Sequence, residues 1–263
     1  MEAAFFDLDK TVISRSSSFA LGKPMYQAGL VSRSQLLRGA YAQLVFQLLG
    51  ADARRMEKAK NAMLELTRGW ERGQLEDLVR EVVIDVIDPF VYQEALDLMA
   101  EHRAAGRKIF IVSTAPEEIV RPLAEHFGAN GVVATRAELV DDRYTGNLEF
   151  YAYGQSKADA IRSLAKRARI SLSDSYAYSD SLTDMPMLEA VGHPFAANPS
   201  RELRKEAEAR GWEVLRFERP VRLIPRPPVP KPKPTIAVVA GVAATGIAAW
   251  LYMRARRGDS RLG

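Results

Sequence analysis

The sequence contains no cysteine and only three histidines, His102, His126 and His193, among its 263 residues. The missing cysteines exclude disulfides, a thiolate nucleophile, Cys-type zinc sites and iron–sulfur clusters. The scattered histidines leave no His-rich metal cluster, and the chain carries no internal repeat. It also lacks a basic, apolar leader: Asp7 and Asp9 follow the N-terminus almost at once, so no signal peptide is expected. Any catalysis must rest on carboxylates, hydroxyls, Lys, Arg or a metal held by oxygen. What is present is an ordinary globular balance, 47% hydrophobic and 27% charged. The length suits one large domain with appendages.

The net charge is +4 and the isoelectric point is near 9.3, which in bulk suggests nucleic acid or an anionic membrane. The location of the charge removes the first. Residues 1–215 carry 27 Lys/Arg against 31 Asp/Glu, whereas residues 216–263 carry 10 against 2. The globular part is therefore mildly acidic, shows no basic–aromatic face, and is expected to bind no nucleic acid.

The basic tail has distinct pieces. Between Pro220 and Pro234, 7 of 15 residues are proline, so residues 219–234 read as a stiff extended linker, whose proline stretch spans roughly 45 Å. Residues 235–253 are 19 uncharged residues. As a helix they measure about 28 Å, close to the ~30 Å hydrocarbon core. A buried core helix is the competing reading, but such a helix does not stand alone behind a proline spacer. A single C-terminal transmembrane helix is expected, followed by a basic tail, 254–263, with Arg254, Arg256 and Arg257.

Trp250 and Tyr252 suit an interfacial belt. Small residues four apart (Ala237, Gly241, Thr245; Ala240, Ala244, Ala248) would let two such helices pack as a homodimer, although an alanine-rich helix produces this spacing by chance. With no leader, the catalytic part is expected in the cytoplasm, held to the membrane by a single C-terminal pass. Both flanks of the helix are basic, so charge gives no orientation.

Within the soluble part, Ala3-Ala4-Phe5-Phe6 reads as a buried strand ending at Asp7. From about Ser16 to Ile87 the pattern is helical, with Leu36, Leu37, Tyr41, Leu44, Val45, Leu48 and Leu49 at three- and four-residue spacing. A second amphipathic stretch runs through Leu75, Leu78, Val79 and Val82. Pro89 is expected to open a helix that Gly106 stops. The pattern then alternates. Strands are expected at 108–112, 132–134, 175–178 and 194–196, with helices at 116–127, 157–167 and 200–210. Asp141-Asp142 and Gly146 mark a hairpin within 138–150. Such alternation implies a mostly parallel sheet covered on both faces, with the helical block as an inserted cap.

Ligand sites in such sheets lie at the carboxyl ends of the strands. At those ends stand Asp7 and Asp9, Ser113 and Thr114, and Asp180 and Asp184, with Lys157 opening a helix between them. Strand-end Asp and Ser are common turn residues, and a lone Lys is usually a surface residue; their joint order carries the inference.

Asp7-Leu8-Asp9-Lys10-Thr11 after an apolar strand resembles the first motif of the haloacid dehalogenase (HAD) superfamily. Ile109 to Val112 ending in Ser113 resembles its second, Lys157 its third, and Asp180-Ser181-Leu182-Thr183-Asp184 its fourth. The similarity covers roughly residues 3–215. The helical insertion resembles the type 1 cap of the phosphoserine-phosphatase-like branch, subfamily IB. The resemblance implies a Rossmann-like α/β core, 1–14 and 88–218, with the helical cap, 15–87, inserted after the first strand.

It also implies roles. Asp7 would be the nucleophile that forms an aspartyl-phosphate, and Asp9 the general acid and base. Ser113, the Thr114 backbone amide and Lys157 would hold the phosphoryl group. Mg²⁺ would be bound by the Asp7 carboxylate, the Asp9 backbone carbonyl and Asp180, with Asp184 in an outer position. The expected activity is Mg²⁺-dependent hydrolysis of a small phosphate monoester. A phosphotransferase or phosphomutase with the same intermediate is one alternative, and a non-enzymatic membrane-tethered module is another. Phosphoserine is the substrate the resemblance suggests; the anchor suggests a lipid-derived phosphate instead. The cap arginines Arg33, Arg38, Arg54, Arg55, Arg68 and Arg72 are candidates for binding a second anion, or simply a solvated helix face.

Overall fold

The computed structural model describes residues 1–29, 31, 32 and 53–221. Strand β1 (Ala3–Asp7) is buried at all five positions, as a strand covered on both faces must be. It lies at the centre of the sheet, parallel to β3 (Lys108–Pro116) on one side and β6 (Tyr176–Ser179) on the other. Beyond β3 come β4 (Gly131–Val140), parallel, and β5 (Arg143–Phe150), antiparallel. Beyond β6 come β7 (His193–Ala197) and β8 (Glu213–Leu215), both parallel. The seven strands run in the order β5-β4-β3-β1-β6-β7-β8. The α/β class, the parallel sheet and the Rossmann-like core all follow the sequence reading.

Side chains alternate across a strand, and β1 uses that alternation to feed two cores. Phe5 stacks on Phe110 with ring centroids 5.5 Å apart. That face is closed by Ile161 and Ala165 of helix α7 (Gln155–Ala168) and Leu203 of α9 (Arg201–Arg210). Phe6 stacks on Tyr178 at 4.4 Å. Its face is closed by Met99 of α5 (Gln93–Ala104) and by Ile119 and Leu123 of α6 (Glu117–His126). Burial of these side chains is the main driving force for the layered arrangement, at about 1.5–3 kcal/mol each.

Between β1 and β3 the described chain is chiefly helical: α1 (Ser17–Ala20), α2 (Gly22–Gln27), α3 (Ala53–Thr67) and α4 (Arg72–Ile87). Helix α4 buries Leu75, Val79, Val83 and Ile87, a stripe with four-residue spacing, and packs beside α6. The short helix α8 (Met185–Leu188) completes the set.

Three local expectations change. Pro89 does not open the helix that follows. Asp88–Phe90 form one 3-10 turn, β2 (Val91–Tyr92) comes next, and α5 begins at Gln93. β-branched Val91 pairs with backbone on both sides, which outweighs the helical continuation. Strand β4 runs unbroken from the core into the hairpin, whose turn residues Asp141 and Asp142 have φ of 50° and 59°. Two successive positive φ values make the type I′ turn that suits a twisted hairpin. Finally, Pro220–Val221, assigned to the linker in sequence, form β9, antiparallel to β2.

No helix among the described residues is long and apolar enough to cross a membrane. The run 235–253, the spacer from 222 to 234 and the tail 254–263 lie outside the described residues. So do Arg33, Arg38, the apolar positions 36–49, and the side chains of Arg54 and Arg55.

Candidate active site

The carboxyl ends of β1, β3 and β6 meet at one edge of the sheet, and the first turn of α7 enters from the side. Asp7 closes β1, Ser113 lies near the end of β3, and Asp180 follows directly on β6. Gly154 precedes α7 with a φ of 53°, a conformation costly for a residue with a Cβ. That turn brings Lys157 inward, where it is only 2% exposed.

Lys157 ties the site together. Its ammonium donates to Asp7 Oδ1 at 2.7 Å and to Asp184 Oδ2 at 2.9 Å. The Ser179 hydroxyl donates to the same Asp184 oxygen at 2.7 Å. Asp7, Asp180 and Asp184 are all buried, so three carboxylates face one ammonium. Burial raises Asp7 well above the usual carboxylate range; Lys157 opposes this, while Asp184 and Asp180 add to it. Burial likewise pushes Asp180 up to about 7, against the pull of Lys10. For Lys157, burial favours loss of the proton, but Asp184 and Asp7 outweigh it and hold the lysine charged.

Asp9 stands apart from this cluster. Its Oδ1 accepts the backbone N–H of Ser17 at 2.9 Å, which links the catalytic loop to the first cap helix. Burial raises its pKa, and the Ser17 backbone hydrogen bond opposes that. A carboxyl group whose burial favours the protonated form suits a general acid.

On β3 the pairing register with β4 shifts between Ser113 and Pro116, so the ladder is interrupted beside the expected phosphate-binding amides. The Ser113 oxygen accepts the Ala115 N–H at 3.1 Å. The Thr114 hydroxyl is used internally, donating to the Ala152 carbonyl at 2.9 Å, and Thr135 donates to the Thr114 carbonyl at 2.7 Å.

The sequence reading missed Ser179, Ser17 and Lys10. A hydroxyl immediately before Asp180 at a strand end was the available signal for Ser179. Lys10 has a φ of 65° and bears electrostatically on Asp180, which no sequence pattern reveals. Of the cap arginines, Arg68 pairs with Glu65 and Arg72 with Glu76 on exposed helix surface, as a solvated face would have them.

Among the described residues, no group of three acidic or histidine side chains converges to hold a metal ion by itself. The donor set nevertheless fits Mg²⁺: its side chains are hard oxygens, backbone carbonyls adjoin them, and negative charge exceeds the single ammonium. Two carboxylates and the Asp9 carbonyl, completed by water, need no third side chain.

The sequence profile of the haloacid dehalogenase-like hydrolases matches residues 4–189. A Streptomyces azureus protein named inhibition of morphological differentiation protein is 51% identical over 97% of this chain and 93% of its own length. A protein named probable phosphatase from Mycobacterium tuberculosis is 47% identical over 94% of this chain and 85% of its own. A solved structure described as a phospho-aspartyl intermediate analogue of phosphoserine phosphatase shares the fold. Its TM-score is 0.59 at 17% identity, covering 84% of this chain and 94% of that one.

Proposed function

Because the chain belongs to the haloacid dehalogenase-like hydrolases, we propose that this phosphatase hydrolyses a small phosphate monoester through an aspartyl-phosphate on Asp7. The observation that carries the reading is Lys157, buried and bonded at once to Asp7 and Asp184, at the edge where Ser113 lies near the end of β3 and Asp180 follows β6.

A phosphate monoester is a poor electrophile, so the residues must aim a nucleophile, balance charge and protonate a leaving group. Asp7 attacks phosphorus in line with the leaving oxygen. Asp9 gives that oxygen a proton and then takes one from the water that cleaves the acyl phosphate. Lys157 neutralises the charge that develops on the transferred group, while Ser113 and the Thr114 amide orient its oxygens. Mg²⁺ held by Asp7, the Asp9 carbonyl and Asp180, with Asp184 behind, would supply Lewis-acid charge neutralisation. Asp9 would activate an alcohol as well as water, so product analysis with and without an acceptor alcohol separates hydrolysis from transfer.

The run 235–253 supports a further part of the reading: the catalytic unit is tethered to a membrane by its C-terminus. Phosphoserine is the first substrate to test, and lipid-derived phosphates are the second. The test is a Mg²⁺ titration of the full-length protein against amino-acid, sugar, nucleotide and lipid phosphates. Turnover that vanishes with chelator and in Asp7→Asn is expected; full activity in Asp7→Asn would overturn the mechanism.

A further inference from the structure

The chain beyond β8 does not leave the core. Phe217 is buried, and the Asn198 carboxamide grips its backbone. The Phe217 N–H donates to Asn198 Oδ1 at 2.8 Å, and Asn198 Nδ2 donates to the Phe217 carbonyl at 3.2 Å. The Phe217 ring lies 5.9 Å from that of Tyr92. The Glu94 carboxylate accepts the backbone N–H groups of Glu218 at 3.1 Å and Arg219 at 3.2 Å. Gln93 N–H donates to the Arg219 carbonyl at 2.9 Å, and Val221 and Pro220 then pair with Val91 and Tyr92.

The opposite edge of β2 is the loop that carries Asp9. Tyr92 N–H donates to the Val12 carbonyl at 2.9 Å, and Ser14 N–H donates to the Phe90 carbonyl at 2.7 Å. Ile13 bridges Val91 in antiparallel fashion. Val12 and Ile13 both donate to the Leu8 carbonyl, which turns the loop back beneath Asp9. Residues 90–92 are therefore the middle of a patch: the Asp9 loop on one side, residues 219–221 on the other. A two-residue strand with a single partner is marginal, so the second edge is what makes this hinge rigid.

Asn198 also stands beside the other half of the site. Two residues on, Ser200 N–H donates to the Asp180 carbonyl at 2.8 Å. Asn198 itself has a φ of 47°, a left-handed conformation that Asn tolerates better than most residues.

We propose that residues 216–221 form a strap that holds the loops of Asp9 and Asp180 in catalytic register, with Phe217 and Asn198 as positioning residues. The strap works through β2 on the Asp9 side and through Asn198 on the Asp180 side, and touches no reacting atom. Its activity readout rests on the phosphatase reading above; its conformational readout does not.

The test uses the full-length protein with Phe217→Ala and Phe217→Leu, followed by amide hydrogen exchange and by kinetics on p-nitrophenyl phosphate with Mg²⁺. In Phe217→Ala, exchange at Ser14 and Tyr92 should rise about tenfold more than at Ile111 in the core strand. Misplaced groups slow chemistry more than binding, so kcat should fall about tenfold with KM within about twofold. Phe217→Leu, which keeps an apolar bulk, should restore most of both. Equal rises at Ile111, or wild-type protection at Ser14 and Tyr92, would overturn the proposal.

Should Phe217→Ala fail to fold, Glu94→Gln removes only the charge behind the strap's hydrogen bonds. It should speed exchange at Tyr92 and Gln93 by about threefold, and no change there would overturn the proposal equally. If the wild-type protein hydrolyses no phosphomonoester, the phosphatase reading fails, and exchange alone decides the strap.

Discussion

At the catalytic edge, Asp7, Asp184 and Lys157 are held by charge in a buried setting. At the hinge, residues 12–14, 90–92 and 219–221 are held chiefly by backbone hydrogen bonds, with the Glu94 carboxylate at one end. The first region gathers three buried carboxylates around one buried ammonium, an excess of charge that opposes folding. The second contains none of the candidate reacting groups, yet its backbone pairs join the Asp9 loop to residues 219–221. Charge holds one region and backbone pairing its neighbour, and substitutions should separate the two contributions.

The largest effect is expected for Asp7→Asn. Loss of the proposed nucleophile should lower kcat by about 10⁴-fold or more. With one buried carboxylate fewer, the metal-free protein should melt no lower than wild type. A variant that lost both activity and stability would blur the contrast between the regions. Lys157→Met should come next. It strands Asp7 and Asp184 without a cation, and breaking a buried pair this way costs about 3–5 kcal/mol, measurable by urea unfolding without metal.

Asp180 gives a pH test with a definite sign. Its folded-state pKa is raised to about 7, above the ordinary carboxylate value, so the native state binds this proton more tightly than the unfolded chain. Its contribution is present at low pH and is lost as pH rises from about 4 through about 7. Without metal, wild type should lose about 3 kcal/mol relative to Asp180→Asn across that window. Saturating Mg²⁺ should reverse most of the loss, by binding the native state. A flat difference between the two proteins would contradict the charge account.

The smallest effect belongs to the junction of hairpin and cap, a third region held like the hinge. Backbone pairs join Gly69 and Trp70 to Tyr144, and the Tyr144 hydroxyl donates to Glu118 at 2.8 Å. Tyr144→Phe should cost about 1.5 kcal/mol by denaturant midpoint and leave kcat unchanged. A marked fall in kcat would mean that this junction, and not only the hinge, aims the catalytic groups.

Much of the candidate catalytic edge was legible in the sequence because Asp7, Ser113, Asp180 and Lys157 sit beside local signals. Asp7, Ser113 and Asp180 follow short strands and so gather by strand-end logic, whereas Lys157 was placed by its order among them and by the family resemblance. The hinge was not legible. Val91–Tyr92 and Pro220–Val221 are two-residue strands with no periodicity to read, and their pairing joins segments more than a hundred residues apart. Composition pointed the wrong way as well: the proline that marks the start of the spacer is the residue that pairs with Tyr92. Ser17 was hidden for a related reason, since it reaches Asp9 through a backbone N–H that any residue type would offer.

The most direct test of the central claim is to quench the full-length protein during turnover of a phosphomonoester with Mg²⁺ and map the phosphorylated peptide by mass spectrometry. One phosphoryl group on Asp7, absent in Asp7→Asn and formed as fast as the enzyme turns over, is the predicted result. A phosphoryl group on another residue, or hydrolysis that persists in Asp7→Asn, would contradict the account.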